Sequence, residues 1–157
     1  MLFFAAKYCC RFFMTLSPDL LKFLAVACDT YTPVLLVLAF ASIAMQWRKG
    51  NKFHGFVLVY FVVIVYGWMF VDKHFQLWSS MGLDYSTHTA AALSLVVFNS
   101  FYKTIAHKLL LAASLIAYGC LMFILQYHSW SDMFSTACAI GVFLFAGIFF
   151  LKKINAR

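Results

Sequence analysis

Long apolar segments separated by short polar ones form the main pattern of the sequence. An apolar run of about 20 residues can cross the ~30 Å hydrocarbon core of a bilayer as a helix, because a helix satisfies its own backbone hydrogen bonds there. Five runs approach this length, at residues 32–47, 53–71, 87–102, 109–126 and 133–151. The pattern therefore predicts an all-α integral membrane protein built as a bundle of about five transmembrane helices.

The first 30 residues differ from these runs because charged side chains interrupt them. No uncharged stretch of about 20 residues remains in residues 2–28, where the charged positions are Lys7, Arg11, Asp19 and Lys22. One or two amphipathic helices in the membrane interface are predicted instead, and one of them would begin with Ser17 as its cap and Pro18 in its first turn. We therefore divide a single membrane domain, 1–157, into an interfacial segment at 1–30 and a five-helix core at 31–157.

Composition and charge support this class and predict an orientation. Apolar residues make up 65% of the sequence and charged residues 11%, whereas about a quarter of a soluble domain is charged. If five helices place their connections on alternate faces, one face collects eight basic residues and no acid: Arg48, Lys49, Lys52, Lys103, Lys108, Lys152, Lys153 and Arg157. The positive-inside rule makes this face cytoplasmic, together with the carboxyl terminus, and a bacterial inner membrane is the predicted location.

Several function classes leave no trace in the sequence. No basic patch interleaved with aromatic residues suggests a nucleic-acid partner, and the five cysteines lack the spacing of a metal site. No glycine-rich phosphate loop, serine hydrolase elbow or cofactor-binding motif is present, so no cofactor is predicted. The expected partner is a membrane lipid or lipid phosphate, with a membrane complex as a further possibility.

Two short polar segments, at 84–90 and 127–132, stand at the ends of apolar runs on the predicted outer face. Each contains a histidine and an aspartate four residues apart, in the pairs Asp84 with His88 and His128 with Asp132. Ionisable groups at a membrane boundary are costly to bury and commonly mark functional sites. The structural alternative is that these histidines only bind water or a neighbouring turn.

These segments, with Lys73 before them, resemble the motifs of the type-2 phosphatidic acid phosphatase superfamily. Members of that family are membrane phosphatases that cleave lipid phosphates and polyprenyl pyrophosphates through a phosphohistidine. Its second motif reads proline-serine-glycine-histidine, to which Ser86-Thr87-His88 is similar. Its third motif ends in histidine, three residues and aspartate, which is the spacing of His128 and Asp132. The resemblance covers roughly residues 73–141.

The resemblance implies a role for each matching residue. His128 would be the nucleophile that attacks phosphorus, Asp132 would hold its other ring nitrogen, and His88 would protonate the leaving alkoxide. Three further residues would contact the substrate phosphate: Lys73, Ser86 and Thr87. The implied function is hydrolysis of a lipid phosphate or polyprenyl pyrophosphate at the non-cytoplasmic face.

The sequence departs from the family's motifs at the positions that carry positive charge. In the first motif an arginine-proline pair follows the lysine after six residues, and this chain has Ser80 and Met81 there. The serine-arginine pair of the third motif corresponds to Leu121 and Met122. Phosphoryl transfer depends on positive charge around the phosphate oxygens. The candidates to replace the two arginines are Lys73 first, then Arg11 and Lys22.

Two alternatives follow from these departures. Two histidines and two carboxylates could bind a divalent metal such as zinc or manganese, with the ligands Asp84, His88, His128 and Asp132. The chain could also be a non-catalytic subunit or a lipid-binding member of a membrane complex.

Any site shared by the two polar segments requires the imidazoles of His88 and His128 to approach each other. The phosphatase interpretation also predicts His128 within hydrogen-bond reach of Asp132.

Overall fold

The computed structural model describes residues 17–101 and 103–155, and helices occupy most of this part of the chain, with no strand in it. The helices are α1 (Pro18–Arg48), α2 (Phe53–Phe75), α3 (Leu77–Ser80), α4 (Thr87–Asn99), α5 (Ile105–Ile124) and α6 (Trp130–Asn155). Four of them, α1, α2, α5 and α6, are long and apolar enough to cross a membrane. The predicted all-α membrane bundle is confirmed, with four helices of sufficient length and apolarity to cross the membrane.

The long helices turn large apolar side chains outward, as helices in contact with lipid do. Phe56 on α2 and Phe134 on α6 are 68% and 72% exposed, and similar residues follow one another along α1 and α5. In water such a surface would be unfavourable by roughly 25 cal/mol per Å² of apolar area. The chain is therefore an integral membrane protein.

The short helix α4 lies at the centre of the bundle and packs against all four long helices. Its 13 residues rise only about 20 Å, which is less than the thickness of the hydrocarbon core. Ala90 and Ala92 are fully buried on it, and small side chains of this kind let neighbouring helices approach closely. The sequence predicts a fifth span at 87–102, whereas the structure has a shorter helix that is surrounded by protein instead of lipid.

The connections alternate between the two ends of the bundle. At one end the start of α2 meets the end of α4, where the ring of His54 lies 5.8 Å from that of Phe98. At the other end the segment before α4 is joined to α6, because the amide of Asp84 donates a hydrogen bond to Asp132 Oδ1 at 2.9 Å. The basic turn between α1 and α2 therefore lies opposite both polar segments.

The start of α1 agrees with the sequence. Ser17 is its cap, and Ser17 Oγ accepts a hydrogen bond from the amide of Leu20 at 3.3 Å. Pro18 occupies the first position, where its missing amide hydrogen is not needed. The rest of the predicted interfacial segment, 1–16, lies outside the described residues.

One continuous helix of 31 residues, α1, extends across the predicted boundary between an interfacial segment and a core at residue 30. Contacts with α5 hold α1 across the expected boundary. The ring of Tyr31 stacks on that of Tyr118 with 4.3 Å between their centroids, and its hydroxyl shares a hydrogen bond of 2.9 Å with Ser114. Charged residues near the start of α1 thus belong to the same helix as its apolar span.

Candidate functional site

The two polar segments meet where α4 and α6 begin. The amide of Ser86 donates to Thr136 Oγ1 at 3.1 Å, next to the bond between the Asp84 amide and Asp132. These two main-chain bonds hold the residues before α4 against the first turns of α6. They fix the position of His88, which lies in the first turn of α4.

His88 and His128 approach each other at this junction, as the sequence predicts. Their ring centroids are 6.2 Å apart, and the ring planes are inclined by 51°. His88 is exposed, whereas the side chain of His128, in the connection between α5 and α6, is only 12% exposed. Two imidazoles at this separation can both contact one ligand group.

The carboxylate that faces His128 is that of Asp84, and the predicted pairing with Asp132 is wrong. His128 Nδ1 lies 3.6 Å from Asp84 Oδ2, which is within ion-pair range but longer than a typical hydrogen bond. A spacing of four residues brings two side chains together only when both lie in one helix. Because α6 begins at Trp130, His128 precedes the helix that contains Asp132.

Asp132 instead caps the start of α6. Its Oδ2 accepts hydrogen bonds from the amide and the hydroxyl of Ser129, at 2.9 and 2.6 Å. Ser129 Oγ in turn accepts a hydrogen bond from the amide of Asp132 at 3.2 Å. This reciprocal arrangement is a capping box, which satisfies amides that the start of a helix leaves without partners. Asp132 therefore holds the backbone before α4, and its charge raises the pKa of His128 less than that of Asp84 does.

Burial lowers the pKa of His128 below the ordinary histidine value. The carboxylate of Asp84 opposes this shift, while the neighbouring His88 adds to it. The lowered pKa keeps the imidazole neutral at neutral pH, and the neutral ring is the form that can act as a nucleophile. Since Nδ1 faces Asp84, the nitrogen available for chemistry is Nε2.

The three residues predicted to contact phosphate occupy different environments. Ser86 is fully buried and caps α4, since its Oγ accepts a hydrogen bond from the amide of Thr89 at 3.2 Å. A substrate would have to displace this cap, so the predicted phosphate contact does not fit Ser86. Thr87 is half-buried and borders a cleft with His88. Lys73 is exposed in the last turn of α2, and no hydrogen bond or ion pair joins it to either imidazole in the described part of the chain.

The four residues considered as metal ligands do not form a common binding site. Within residues 17–101 and 103–155, no three histidine, cysteine or acidic side chains are positioned to hold one ion. The oxygens of Asp132 accept hydrogen bonds from Ser129 and from the amide of Asp84. The geometry of the described residues therefore gives no support to the zinc or manganese interpretation.

A cleft of about 410 Å³ extends from His88 between α1, α2 and α4. It is lined by Asp29, Thr32, Pro33, Tyr66, Thr87, His88 and Ala91. Asp29 was not among the predicted site residues. The sequence does contain a feature that could have identified Asp29, namely a carboxylate in an apolar segment with Pro33 four residues later. Carboxylates and prolines in membrane helices commonly mark functional positions.

Compared with known proteins, the chain matches no protein-family model, no curated protein and no solved structure. Its resemblance to the lipid phosphatases stays a prediction that depends on the motif residues. A functional hypothesis for this chain therefore depends on the motif residues and on their positions in the structure.

Proposed function

We propose that this chain is a membrane phosphatase-like hydrolase that cleaves a lipid phosphate or polyprenyl pyrophosphate through a phosphohistidine. The main support is the separation of 6.2 Å between the rings of His88 and His128, with Asp84 beside Nδ1 of His128. A neutral, buried imidazole next to a carboxylate suits a nucleophile. A second, exposed imidazole within reach of the same group suits a general acid.

In the first step, His128 Nε2 attacks phosphorus, the bond from phosphorus to the ester oxygen breaks, and a phosphohistidine forms. Asp84 stabilises the positive charge that develops on the ring, the role that the motif resemblance assigns to Asp132. His88 starts as an imidazolium and donates its proton to the departing oxygen, so the lipid leaves as a neutral alcohol. With a pyrophosphate substrate the leaving group is the polyprenyl phosphate.

In the second step, water attacks the phosphorus atom of the phosphohistidine and the nitrogen–phosphorus bond breaks. His88, now neutral, accepts a proton from this water molecule and returns to the imidazolium form. Inorganic phosphate leaves, and His128 returns to its neutral form.

The proposed orientation places this site at the non-cytoplasmic face of an inner membrane. Arg48, Lys49 and Lys52 lie in the turn at the opposite end of the bundle, and the positive-inside rule favours the cytoplasm for such a turn. The site would then lie near the level of the lipid head groups in the outer leaflet.

A lipid-binding subunit without catalytic activity is the second candidate, and the charge of the site favours it. Among the described residues, no lysine or arginine lines the cleft or forms an ion pair at the two imidazoles, whereas Asp29 lines the cleft and Asp84 faces His128. Phosphoryl transfer needs positive charge near the phosphate. An active enzyme must obtain it from His88, from a lysine outside the cleft or from the substrate.

Phosphate release by the purified protein tests both candidates. The substrates are phosphatidic acid, lysophosphatidic acid, phosphatidylglycerol phosphate and undecaprenyl pyrophosphate, each with and without a chelator. We expect release that persists with chelator and is lost in His128→Ala, together with an acid-labile phosphoprotein that this variant lacks. Lipid binding without release from any of these substrates would support the non-catalytic candidate.

A further inference from the structure

Asp29 is a charged residue of the site that the proposed reaction does not use. It lies within the apolar helix α1, it is exposed, and it lines the cleft that also contains His88. Its carboxylate has no hydrogen bond or ion pair with any residue that the structure describes. A carboxylate in an apolar membrane helix is costly without a partner. The cleft therefore suits a ligand that brings a positive charge to Asp29.

The backbone of α1 offers a second acceptor at the same position. In an α-helix the carbonyl of Asp29 would accept a hydrogen bond from the amide of residue 33, but Pro33 has no amide hydrogen. Pro33 also lines the cleft. In the discontinuous helices of membrane transporters, backbone carbonyls without helical donors coordinate cations. Asp29 thus combines a carboxylate with a main-chain oxygen that lacks its helical donor.

An apolar groove of about 140 Å³ adjoins the cleft between α1, α2 and α4. The two cavities share Thr32, Tyr66 and Ala91, so they form one continuous space. The groove is otherwise lined mainly by apolar side chains, among them Leu36, Leu58, Phe61, Val62 and Leu95. Leu36 and Val62 are themselves partly exposed on the apolar outer surface, and the groove therefore opens toward lipid. A polar cleft joined to an apolar groove fits an amphiphilic ligand.

The charges of the proposed active site identify the kind of polar head. A phosphate at the two histidines needs positive charge, and Ser80 and Met122 stand where the resembling family has arginines. Asp29 needs a cation as well. An ammonium group on the substrate, close to its phosphate, would offset part of the negative charge of both groups.

We infer that Asp29 selects a lipid phosphate whose head also carries an ammonium group, and that one hydrocarbon chain of this lipid lies in the groove between α1 and α2. This inference rests on the proposed phosphatase function and names its substrate class. The ammonium group pairs with Asp29, the phosphate lies at His88 and His128, and the chain passes Ala91 into the groove. Asp29 is then a specificity-determining residue. The ammonium group of the substrate supplies positive charge that two arginines supply in the phosphatase family whose motifs this chain resembles.

A pair of chain-matched substrates tests the role of Asp29. One is a long-chain alkyl phosphate with an ammonium group on the carbon next to the phosphate-bearing carbon, and the other has a hydroxyl group there. We expect kcat/KM of the protein to favour the ammonium compound by about tenfold or more, because one charge-assisted hydrogen bond is involved. Asp29→Asn should reduce this ratio to near one. Asp19→Asn, a matched change in the first turn of α1 and outside the cleft, should leave the ratio as it is.

Equal kcat/KM for the two compounds, or a preference that survives in Asp29→Asn, would overturn the inference. If neither these two compounds nor the four substrates named above are hydrolysed, the phosphatase proposal fails, and binding alone then tests Asp29. The dissociation constants of both compounds are measured with His128→Ala and with His128→Ala combined with Asp29→Asn. Tighter binding of the ammonium compound only when Asp29 is present supports its selective role, and equal binding excludes it.

Substitutions on α2 test the groove. Val62→Trp fills the groove, whereas Val59→Trp adds the same bulk at an exposed position of the same helix outside it. We expect Val62→Trp to raise KM for the long-chain ammonium substrate about tenfold, a loss equivalent to the burial of one or two methylene groups. A short-chain analogue should show no such change, and Val59→Trp should behave like the unmodified protein. Equal effects of the two tryptophan variants would exclude the groove as the binding site of the chain.

Discussion

His128 combines a buried ring with a carboxylate neighbour, and the two act on its protonation in opposite directions. Burial lowers its pKa, and the negative charge of Asp84 raises it. An exposed histidine titrates near pH ~6.5, so the ring of His128 stays neutral in more acidic solution than an exposed one does. The proposed nucleophile is thus ready for reaction throughout the neutral range.

Two substitutions should move this titration in opposite directions. Asp84→Asn removes a negative charge that favours the imidazolium, and the pKa of His128 should fall further. His88→Gln removes a positive neighbour that opposes protonation, and the pKa should rise. NMR titration of labelled histidines measures both shifts without turnover. A rise in Asp84→Asn would contradict the described geometry.

The lowered pKa of His128 in the folded protein makes the stability of the protein depend on pH. The unfolded chain binds a proton at His128 near pH ~6.5, before the folded protein does. The stability that depends on neutral His128 is therefore present above that pH and is lost as the pH falls through the unfolded pKa toward the folded one. In His128→Gln, thermal unfolding followed from pH 8 to pH 5, a range of about three units around that pKa, should lack this part of the pH dependence.

Substitutions at Asp84 and Asp132 should affect different properties of the protein, turnover in the first case and stability in the second. Asp84→Asn should lower kcat/KM by about tenfold or more, because the charge beside the nucleophile is lost, with little change in stability. Asp132→Asn weakens the capping box with Ser129 and should lower the free energy of unfolding by about 1 kcal/mol. Parallel assays of turnover and thermal unfolding separate the two effects. If Asp84→Asn lowers stability and Asp132→Asn does not, the catalytic role of Asp84 and the structural role of Asp132 are assigned the wrong way round.

The meeting of the histidines was predictable from the sequence, because alternating spans had to place both polar segments on one face. The choice of carboxylate was not predictable, since the contact between Asp84 and His128 depends on how α4 packs against α6. Asp29 was missed because residues 1–30, which include it, were predicted to lie in the membrane interface, where a charged residue needs no functional explanation. Its relation to His88 exists only after α1 and α4 have packed together.

At the scale of elements, α4 shows why apolar sequence alone does not predict a membrane span. A helix surrounded by protein and a helix surrounded by lipid have similarly apolar side chains. The buried amide of Asn99 marks the difference, because it donates to the carbonyl oxygens of Leu35 and Leu95 at 3.0 and 2.9 Å. Such a group requires protein partners. The helix ends at Asn99, three residues before the predicted limit of the span.

The packing of α2 against α6 can be tested at one glycine. A methyl group added at Gly147 would overlap the ring of Tyr60, whereas Gly141 on the same helix has open space around it. Gly147→Ala should therefore lower the free energy of unfolding by about 1–3 kcal/mol. Gly141→Ala should be neutral or slightly stabilising, because alanine is the better helix former. Thermal unfolding in detergent compares the two variants, and equal midpoints would contradict this helix contact.

At the scale of the whole molecule, the two ends of the bundle differ in charge. The basic turn at 48–52 lies opposite the polar segments, which predicts that the turn faces the cytoplasm. In a cysteine-free background, Ser80→Cys should react with an impermeant reagent added outside cells. Asn51→Cys should react only after the membrane is opened. Labelling of Asn51→Cys from outside would reverse the proposed orientation.

The enclosure of α4 also bears on how the chain is inserted during synthesis. Thr136 and Asp132, which accept hydrogen bonds from the backbone before α4, belong to α6, and α6 is made after α4. When α4 leaves the ribosome these partners do not yet exist, and its 13 residues are too few to cross the bilayer alone. The start of α4 therefore gains these hydrogen-bond partners only after α6 has been made. A nascent chain that stops before α6 lacks these two hydrogen bonds, and we expect it to be less stable in the membrane than a chain that contains α6.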